Sequence, residues 1–225
     1  VGFHWRDRGL QAAVADRLRD ATGWEGIATH FHSADVDPDA TALQWRRFEE
    51  WITALPRRPK IVHAANSAAT LRGTAYAGDM VRPGIFIYGG EVGPWAPAPR
   101  PVATLRSRVV AVRTLVAGES VSYGATWQAP RPTTIATLAL GYGDGLLRSG
   151  AGRAQVELNG RVVPVVGRIT MDLTMLAIAE GGARIGDVAT VFGGAVTLAA
   201  HAEALGTITY EVLTALSPRV ARRYA

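Results

Sequence analysis

The first ninety residues alternate between apolar stripes with helical spacing and short apolar runs. Leu10, Val14 and Leu18 recur at the period of a helix, and Gly23 stands where that helix could end. Asp39 is predicted to cap a second helix, which the proline at position 56 would stop. The apolar stripe of this second helix consists of Leu43, Phe48, Trp51, Ile52 and Leu55.

Three short apolar runs in the same half predict buried strands. They cover residues 26–31, 61–65 and 85–88. Strands that alternate with helices indicate parallel βα units. A parallel sheet is normally covered on both faces and contains more strands than three, so we expect further segments of the fold to precede Val1.

A proline-rich break separates this half from the rest of the chain. Residues 91–102 hold four prolines and Gly93, a composition typical of a linker. Beyond the break the pattern changes to short strand-like runs without helical stripes. These runs cover residues 109–112, 135–140, 162–166 and 188–192.

Two local signals refine the second half. Asn159-Gly160 lies between two apolar runs and predicts a tight β-hairpin. A helix is expected from about Leu198 to Leu205, ended by Gly206. The predicted organisation is therefore α/β over residues 1–90, a linker over 91–102, and a mostly antiparallel β barrel or sandwich over 103–225.

Composition narrows the possible functions. The 225 residues carry a formal net charge of +5 and are 48% apolar, which suits a folded core rather than a disordered tail. No run of eighteen apolar residues exists, and there is no cysteine for a disulfide, a metal site or a nucleophile. The arginines are scattered rather than clustered, which disfavours nucleic-acid binding. Lys60 is the only lysine.

Five places combine residue types that chemistry uses, and each alone also has an ordinary structural explanation. A buried histidine, a helix cap, a surface arginine, a packed tyrosine and a glycine-rich loop are common in folded cores and loops. The glycine-rich segments fit neither the dinucleotide nor the P-loop phosphate pattern. The five are Thr29-His30-Phe31, the run His63–Ala69, Val81-Arg82-Pro83-Gly84-Ile85, the run Val121–Trp127, and the pair Gly141–Gly145 and Gly167–Asp172.

Taken in order, and joined by Thr209-Tyr210-Glu211-Val212, these segments resemble alanine racemase over most of the chain, from Ile27 to Val220. That family is a pyridoxal-phosphate enzyme with a (β/α)₈ TIM-type barrel and a C-terminal β domain. The resemblance implies that residues 1–90 hold the last three strands of the barrel and that pyridoxal phosphate is the cofactor. It also implies a cytoplasmic homodimer with head-to-tail shared sites that supplies D-alanine for peptidoglycan, without nucleic-acid or membrane partners.

The resemblance also assigns cofactor residues. Ser67, the backbone of Gly84 and Ile85, and Tyr210 would hold the phosphate. Arg82 would contact the pyridine nitrogen, and His30 would support that arginine.

The reacting side is assigned in the same way. Tyr123 would transfer a proton on one face of the substrate, and a lysine would serve the other face. Met171 and Asp172 would lie near the substrate carboxylate, and Tyr142 at the active-site entrance.

One departure from the family limits the expected activity. The family's cofactor lysine lies on the first barrel strand, whereas Lys60 precedes a later strand and belongs to no matching motif. We therefore expect the first five barrel strands and this lysine to be absent, and the chain alone to be inactive. Two alternatives stay open, namely a related amino-acid decarboxylase, which typically uses a cysteine near the partner's site, and a non-catalytic fragment that only dimerises or binds.

Overall fold

The computed structural model describes residue 4 and residues 6–224, which form two compact units. The first unit comprises the chain up to Ile87 together with Glu91–Ala98. The second comprises Tyr88–Gly90 and the chain from Pro99 onward. Within the described residues, none of the helices has the length and apolar character that crossing a membrane requires.

The first unit is built from two parallel strands and the helices that follow and precede them. The strands pair in register, with Gly26 opposite Ile61 and Ala28 opposite His63. This confirms the predicted parallel arrangement of the first two apolar runs, although both strands are shorter than those runs. The elements are α1 (Arg8–Arg19), β1 (Gly26–Ala28), α2 (Pro38–Thr53), β2 (Ile61–His63) and α3 (Ser67–Leu71).

The third strand predicted in this half is wrong. Ile85–Tyr88 forms a 3₁₀ helix instead. The edge of β2 where a further strand would pair is already occupied, because Val62 donates its N–H to the Asp79 carboxylate and accepts the Asp79 N–H, both at 2.8 Å. Gly78 allows this close approach, since a Cβ there would lie 2.3 Å from the Val62 oxygen.

Two predicted helix ends also differ from the structure. The cap of α2 is Asp37 rather than Asp39, because Pro38 has no N–H and the Asp37 side chain accepts from the N–H of Ala40 at 2.9 Å. Helix α1 ends at Arg19, before the expected stop at Gly23. Both differences move a helix boundary by only a few residues.

Part of the proline-rich segment packs within the first unit. The indole N–H of Trp95 donates to the Asp35 carbonyl at 2.6 Å, and the Arg72 guanidinium lies 4.1 Å from the Trp95 ring centroid. Gly93 has a φ of 138°, and a Cβ there would meet the Asp35 oxygen at 2.7 Å. The domain boundary within 91–102 stays a prediction.

The second unit contains a closed barrel of six antiparallel strands, which confirms the antiparallel β prediction. Around the barrel the strands follow the order Val188–Phe192, Leu105–Leu115, Thr133–Leu138, Thr174–Ile178, Arg161–Val166 and Gln155–Leu158. Every strand contributes buried apolar side chains to its interior, including Leu138, Leu176 and Phe192. The elements are β3 (Leu105–Leu115), β4 (Ser120–Val121), β5 (Trp127–Gln128), β6 (Thr133–Leu138), β7 (Gln155–Leu158), β8 (Arg161–Val166), β9 (Thr174–Ile178), β10 (Val188–Phe192), α4 (Leu198–Leu205) and α5 (Thr209–Ala215).

The two local signals of the second half are confirmed. Asn159 and Gly160 join β7 to β8 with φ values of 48° and 73°, as a two-residue hairpin turn requires. Helix α4 covers Leu198–Leu205 and ends at Gly206 in the left-handed region. Helix α5, which carries Tyr210, was not predicted from the sequence.

Candidate functional site

In the first unit, Ser67 is a buried hydroxyl that gathers backbone amides. It begins α3 directly after Asn66, whose side chain caps that helix through the Ala69 N–H. The Ser67 Oγ accepts the N–H of Gly84 at 2.8 Å and the N–H of Phe86 at 3.4 Å. Its own O–H has no acceptor within the described residues, although the side chain is only 4% exposed.

Such a hydroxyl fits an anion. It accepts two N–H groups and keeps one proton for an acceptor such as a phosphate oxygen. A Cβ built on Gly84 would meet nothing within 4 Å, so space is open beside the backbone that binds Ser67. Ile85 follows Gly84 and is buried.

Arg82 is held from several directions. Its Nη2 donates to the Thr29 carbonyl at 2.9 Å and to the Ala64 carbonyl at 3.2 Å, and its backbone N–H donates to Ala65. Its Nη1 contacts the Nδ1 of His63. The ends of β1 and β2 therefore fix the guanidinium, which lies two residues before Gly84.

Two histidines stand beside that guanidinium, and they differ in their contacts. The Nδ1 of His30 lies 3.5 Å from Nη2, at the limit of a hydrogen bond, and the side chain is exposed. His63 makes the closer contact, and it is half-buried at the end of β2. Burial, followed by the charge of Arg82, lowers the pKa of His63 from its ordinary value of 6.5.

In the second unit, Tyr123 projects from a turn of unusual backbone. It is 73% exposed and follows Ser122, whose φ of 69° and ψ of 174° are rare for a residue with a side chain. The Ser122 hydroxyl donates to the Arg168 carbonyl at 2.6 Å, which ties the turn to the chain before Met171. Gly124 has a φ of 71° and lies against the Arg168 guanidinium.

Two loops bring Tyr142, Met171 and Asp172 together. The N–H of Tyr142 donates to Thr170, and the N–H of Gly143 donates to Met171, at 2.9 and 2.8 Å. The side chains of Tyr142 and Met171 are 44% and 52% exposed. The pair of loops therefore presents an aromatic, an apolar and an acidic side chain at one surface.

Tyr210 and Lys60 complete the set of candidates. Tyr210 lies in the first turn of α5 and is about half exposed. Lys60 is exposed, and its ammonium lies 3.7 Å from the Glu25 carboxylate, just before β2. A cofactor lysine needs a free amine at the site, and Lys60 is placed instead in a surface ion pair.

The structure therefore assembles the candidates as two sets, one in each unit. Ser67, Gly84, Arg82 and His30 meet in the first, and Tyr142, Met171 and Asp172 meet in the second. Sequence reasoning did not assign a role to His63 or to Arg219, which contacts Asp172. Both lie inside or beside quoted segments, so their positions were the only signal.

Comparisons with known proteins identify the same family in both halves of the chain. The profile of the family described as alanine racemase, C-terminal domain, matches residues 102–224, and that of alanine racemase, N-terminal domain, matches residues 2–92. An alanine racemase of Sorangium cellulosum is 39% identical over 214 residues, covering 89% of this chain and 56% of the relative.

Solved structures of the same family match this chain along nearly all of its length. Biosynthetic alanine racemase from Pseudomonas aeruginosa matches with a TM-score of 0.89 and 33% identity over 100% of this chain and 63% of its own. Alanine racemase from Bartonella henselae with covalently bound pyridoxal phosphate matches with a TM-score of 0.91 and 27% identity, over 97% and 62%. The chain thus spans about three fifths of the length of these relatives.

Proposed function

Because this chain belongs to the alanine racemase family, we propose that it contributes to an enzyme that interconverts L- and D-alanine with pyridoxal phosphate. The observation that carries the proposal is the arrangement around Ser67, where a buried hydroxyl gathers two amides and keeps a proton to donate. Arg82 lies two residues before Gly84 and is fixed independently. This is the donor set that a phosphate and a pyridine nitrogen need.

The first unit would hold the cofactor. Ser67 and the backbone at Gly84 and Ile85 would bind the phosphate, and Tyr210 is proposed as a further phosphate ligand from the resemblance. Arg82 would donate to the pyridine nitrogen, and as a cation that does not readily give up its proton it would leave that nitrogen unprotonated. His63 and His30 would orient Arg82.

The second unit would serve the reacting atoms. Pyridoxal phosphate supplies an electron sink when the α-proton leaves. Tyr123 would accept or donate that proton on one face, and a general base or acid on the other face completes inversion. Met171 and Asp172 would border the substrate carboxylate, and Tyr142 the route to it.

Lys60 is not proposed as the cofactor lysine, because it is exposed and paired with Glu25. Borohydride reduction of the protein with pyridoxal phosphate, followed by peptide mapping, tests this. The added cofactor mass is expected on no peptide that contains Lys60, and Lys60→Arg is expected to leave activity unchanged. Cofactor mass on Lys60 would contradict the assignment.

The activity itself is tested by incubating the chain, together with the N-terminal barrel segment that the resemblance predicts, with pyridoxal phosphate and L-alanine, and measuring D-alanine by chiral chromatography. The chain without that segment is expected to form no D-alanine, because its one lysine, Lys60, is not proposed to bind the cofactor. Formation of D-alanine that Ser67→Ala strongly reduces supports the proposal. A protein that binds the cofactor but forms no D-alanine would instead support the non-catalytic, dimerising alternative.

A homodimer with head-to-tail shared sites is part of the proposal, as are cytoplasmic location and supply of D-alanine to peptidoglycan. Mixing Tyr123→Phe protein with Ser67→Ala protein tests the sharing. If Tyr123 serves the partner's cofactor, each hybrid dimer regains one intact site, and random mixing restores about a quarter of the activity. A mixture as inactive as its components would show that each subunit uses its own tyrosine.

A further inference from the structure

Arg219 joins the two loops that carry the substrate-side candidates. Its Nη2 donates to the Asp172 carboxylate at 2.6 Å, and its Nε lies 3.2 Å from Oδ1 of Asp144. Asp144 is buried, with 8% of the residue exposed, whereas Asp172 is largely exposed. One planar guanidinium therefore connects a carboxylate below the loops to a carboxylate at their surface.

Asp144 belongs to the glycine-rich loop Gly141–Gly145 and holds the backbone of that loop in place. Its second carboxylate oxygen accepts the Gly141 N–H at 2.9 Å, and its carbonyl accepts the Ser217 N–H at 3.0 Å, near Arg219 in the chain. The loops touch closely enough to exclude side chains. A Cβ on Gly141 would lie 2.2 Å from the Thr170 oxygen, and one on Gly143 would lie 2.5 Å from Nη1 of Arg219.

We propose that Arg219 is a positioning residue that sets Tyr142, Met171 and Asp172 in the geometry for binding an amino-acid carboxylate. The inference rests on the proposed function, which places those three residues beside the substrate. An exposed ion pair alone contributes little to stability, but here one guanidinium bridges two carboxylates, and one of them is buried.

The positive charge of Arg219 also affects how a substrate carboxylate would interact with Asp172. A bare Asp172 carboxylate would repel the carboxylate of an approaching amino acid. The Asp172 hydrogen bond and the Asp144 charge raise the pKa of Arg219 above its usual value, so the guanidinium stays charged. The arginine can therefore offset the charge of Asp172 at neutral pH.

The first test is independent of activity. The N–H groups of Tyr142 and Gly143 bridge the loops, so their hydrogen exchange reports the loop geometry directly. In Arg219→Met, exchange at these two amides is expected to accelerate by about tenfold or more, as the loss of a charged hydrogen bond implies. Arg223→Met is the matched control, since Arg223 is exposed. Unchanged exchange in Arg219→Met would overturn the proposal.

The second test is kinetic and uses the protein supplied with pyridoxal phosphate and with the N-terminal barrel segment that the resemblance predicts. Arg219→Met is expected to raise the KM for alanine about tenfold while kcat changes less than about threefold, because substrate-side positioning is lost. Arg219→Lys keeps the positive charge but lacks the planar guanidinium, so its KM should rise less than that of Arg219→Met. A fall in kcat alone, with KM unchanged, would overturn the positioning role.

A double variant shows whether Arg219 acts through Asp172. If it does, adding Arg219→Met to Asp172→Asn should raise KM no further than the larger single effect. Fully multiplied effects would contradict that route. If Arg219→Met folds poorly, Arg219→Lys takes its place in both the single and the double variant, and Asp172→Asn leaves the buried Asp144 contact intact. If the protein supplied with the N-terminal barrel segment shows no racemisation, the proposed function fails, while the exchange result still decides the role of Arg219 in the loops.

Discussion

The Nδ1 atom of His63 faces Nη1 of Arg82, and that contact fixes the protonation of the histidine. Arginine only donates, so Nδ1 must accept and the ring proton must lie on Nε2. Burial and the Arg82 charge both lower the pKa of His63, so it is neutral at pH 7. The histidine thereby helps to aim the guanidinium without competing with it as a second cation.

This contact predicts an acid limb in the pH profile. Because the pKa of His63 in the folded protein is below 6.5, its stabilising contribution is present above pH 6.5 and is lost as the pH falls through the lowered value. Activity should fall in the same range as His63 becomes protonated and repels Arg82. Comparing kcat/KM between about pH 5 and pH 8 checks this.

The matching variants are His63→Gln and His32→Gln. Glutamine offers an acceptor that does not titrate, so His63→Gln should flatten the part of the acid limb that belongs to this group. His32 is exposed and bonds to Ser33, away from Arg82, so its variant should keep the wild-type profile. Identical acid limbs in all three proteins would show that His63 does not govern Arg82.

Gly141 predicts a stability effect at the substrate-side loops. Alanine at this position would place a Cβ 2.4 Å from the carbonyl carbon of Met171, and forcing that contact should cost about 1–3 kcal/mol in the free energy of unfolding. Urea denaturation measures it. Gly23→Ala is the control, because a Cβ there meets nothing within 4 Å and should change stability by less than about 0.5 kcal/mol. Equal stabilities for the two variants would contradict the tight loop contact.

His201 predicts acid sensitivity of the second unit. It is 2% exposed, its ring lies 5.4 Å from the Phe192 ring, centroid to centroid, at an angle of 39°, and its Nδ1 has no partner among the described residues. Burial lowers its pKa to about 4, so its stabilising contribution is complete above pH 6.5 and is lost as the pH falls toward 4. The loss amounts to about 3 kcal/mol for the difference between the two pKa values.

Thermal unfolding between about pH 4 and pH 7 measures this loss, with His201→Leu as the comparison. The leucine variant cannot titrate, so its stability should fall less steeply on acidification than that of the wild type. Parallel stability curves for the two proteins would assign the acid sensitivity to other groups.

Elements with a strong local signal were predictable from the sequence. The Asn159-Gly160 turn needs two residues at positive φ, and Gly206 ends α4 in the same region, so both could be located without tertiary information. Residues 85–88 were misassigned because an apolar run cannot show that Asp79 already occupies the strand edge. The choice between Asp37 and Asp39 as a cap depended on one missing proline N–H.

Candidate site residues could be proposed only where a motif carried them. Ser67 and Arg82 belong to recognisable segments, and the structure shows what surrounds each of them. The contact partners of two candidate residues could not be predicted in this way, because they are distant in sequence. His63 reaches Arg82 across 19 positions, and Arg219 reaches Asp172 across 47. Such contacts depend on how the loops fold together, which no local pattern encodes.

Exchange of the α-hydrogen of alanine with deuterium oxide tests the central claim most directly. With pyridoxal phosphate bound and the N-terminal barrel segment of the resemblance supplied, the otherwise unchanged protein should exchange both enantiomers. Tyr123→Phe should lose exchange of one enantiomer by about 10²-fold or more and keep that of the other, because Tyr123 is proposed to serve one face. Tyr224→Phe, at a residue that is 92% exposed, should behave as wild type. Equal retention of both exchange reactions in Tyr123→Phe would contradict the proposed role of Tyr123 in proton transfer.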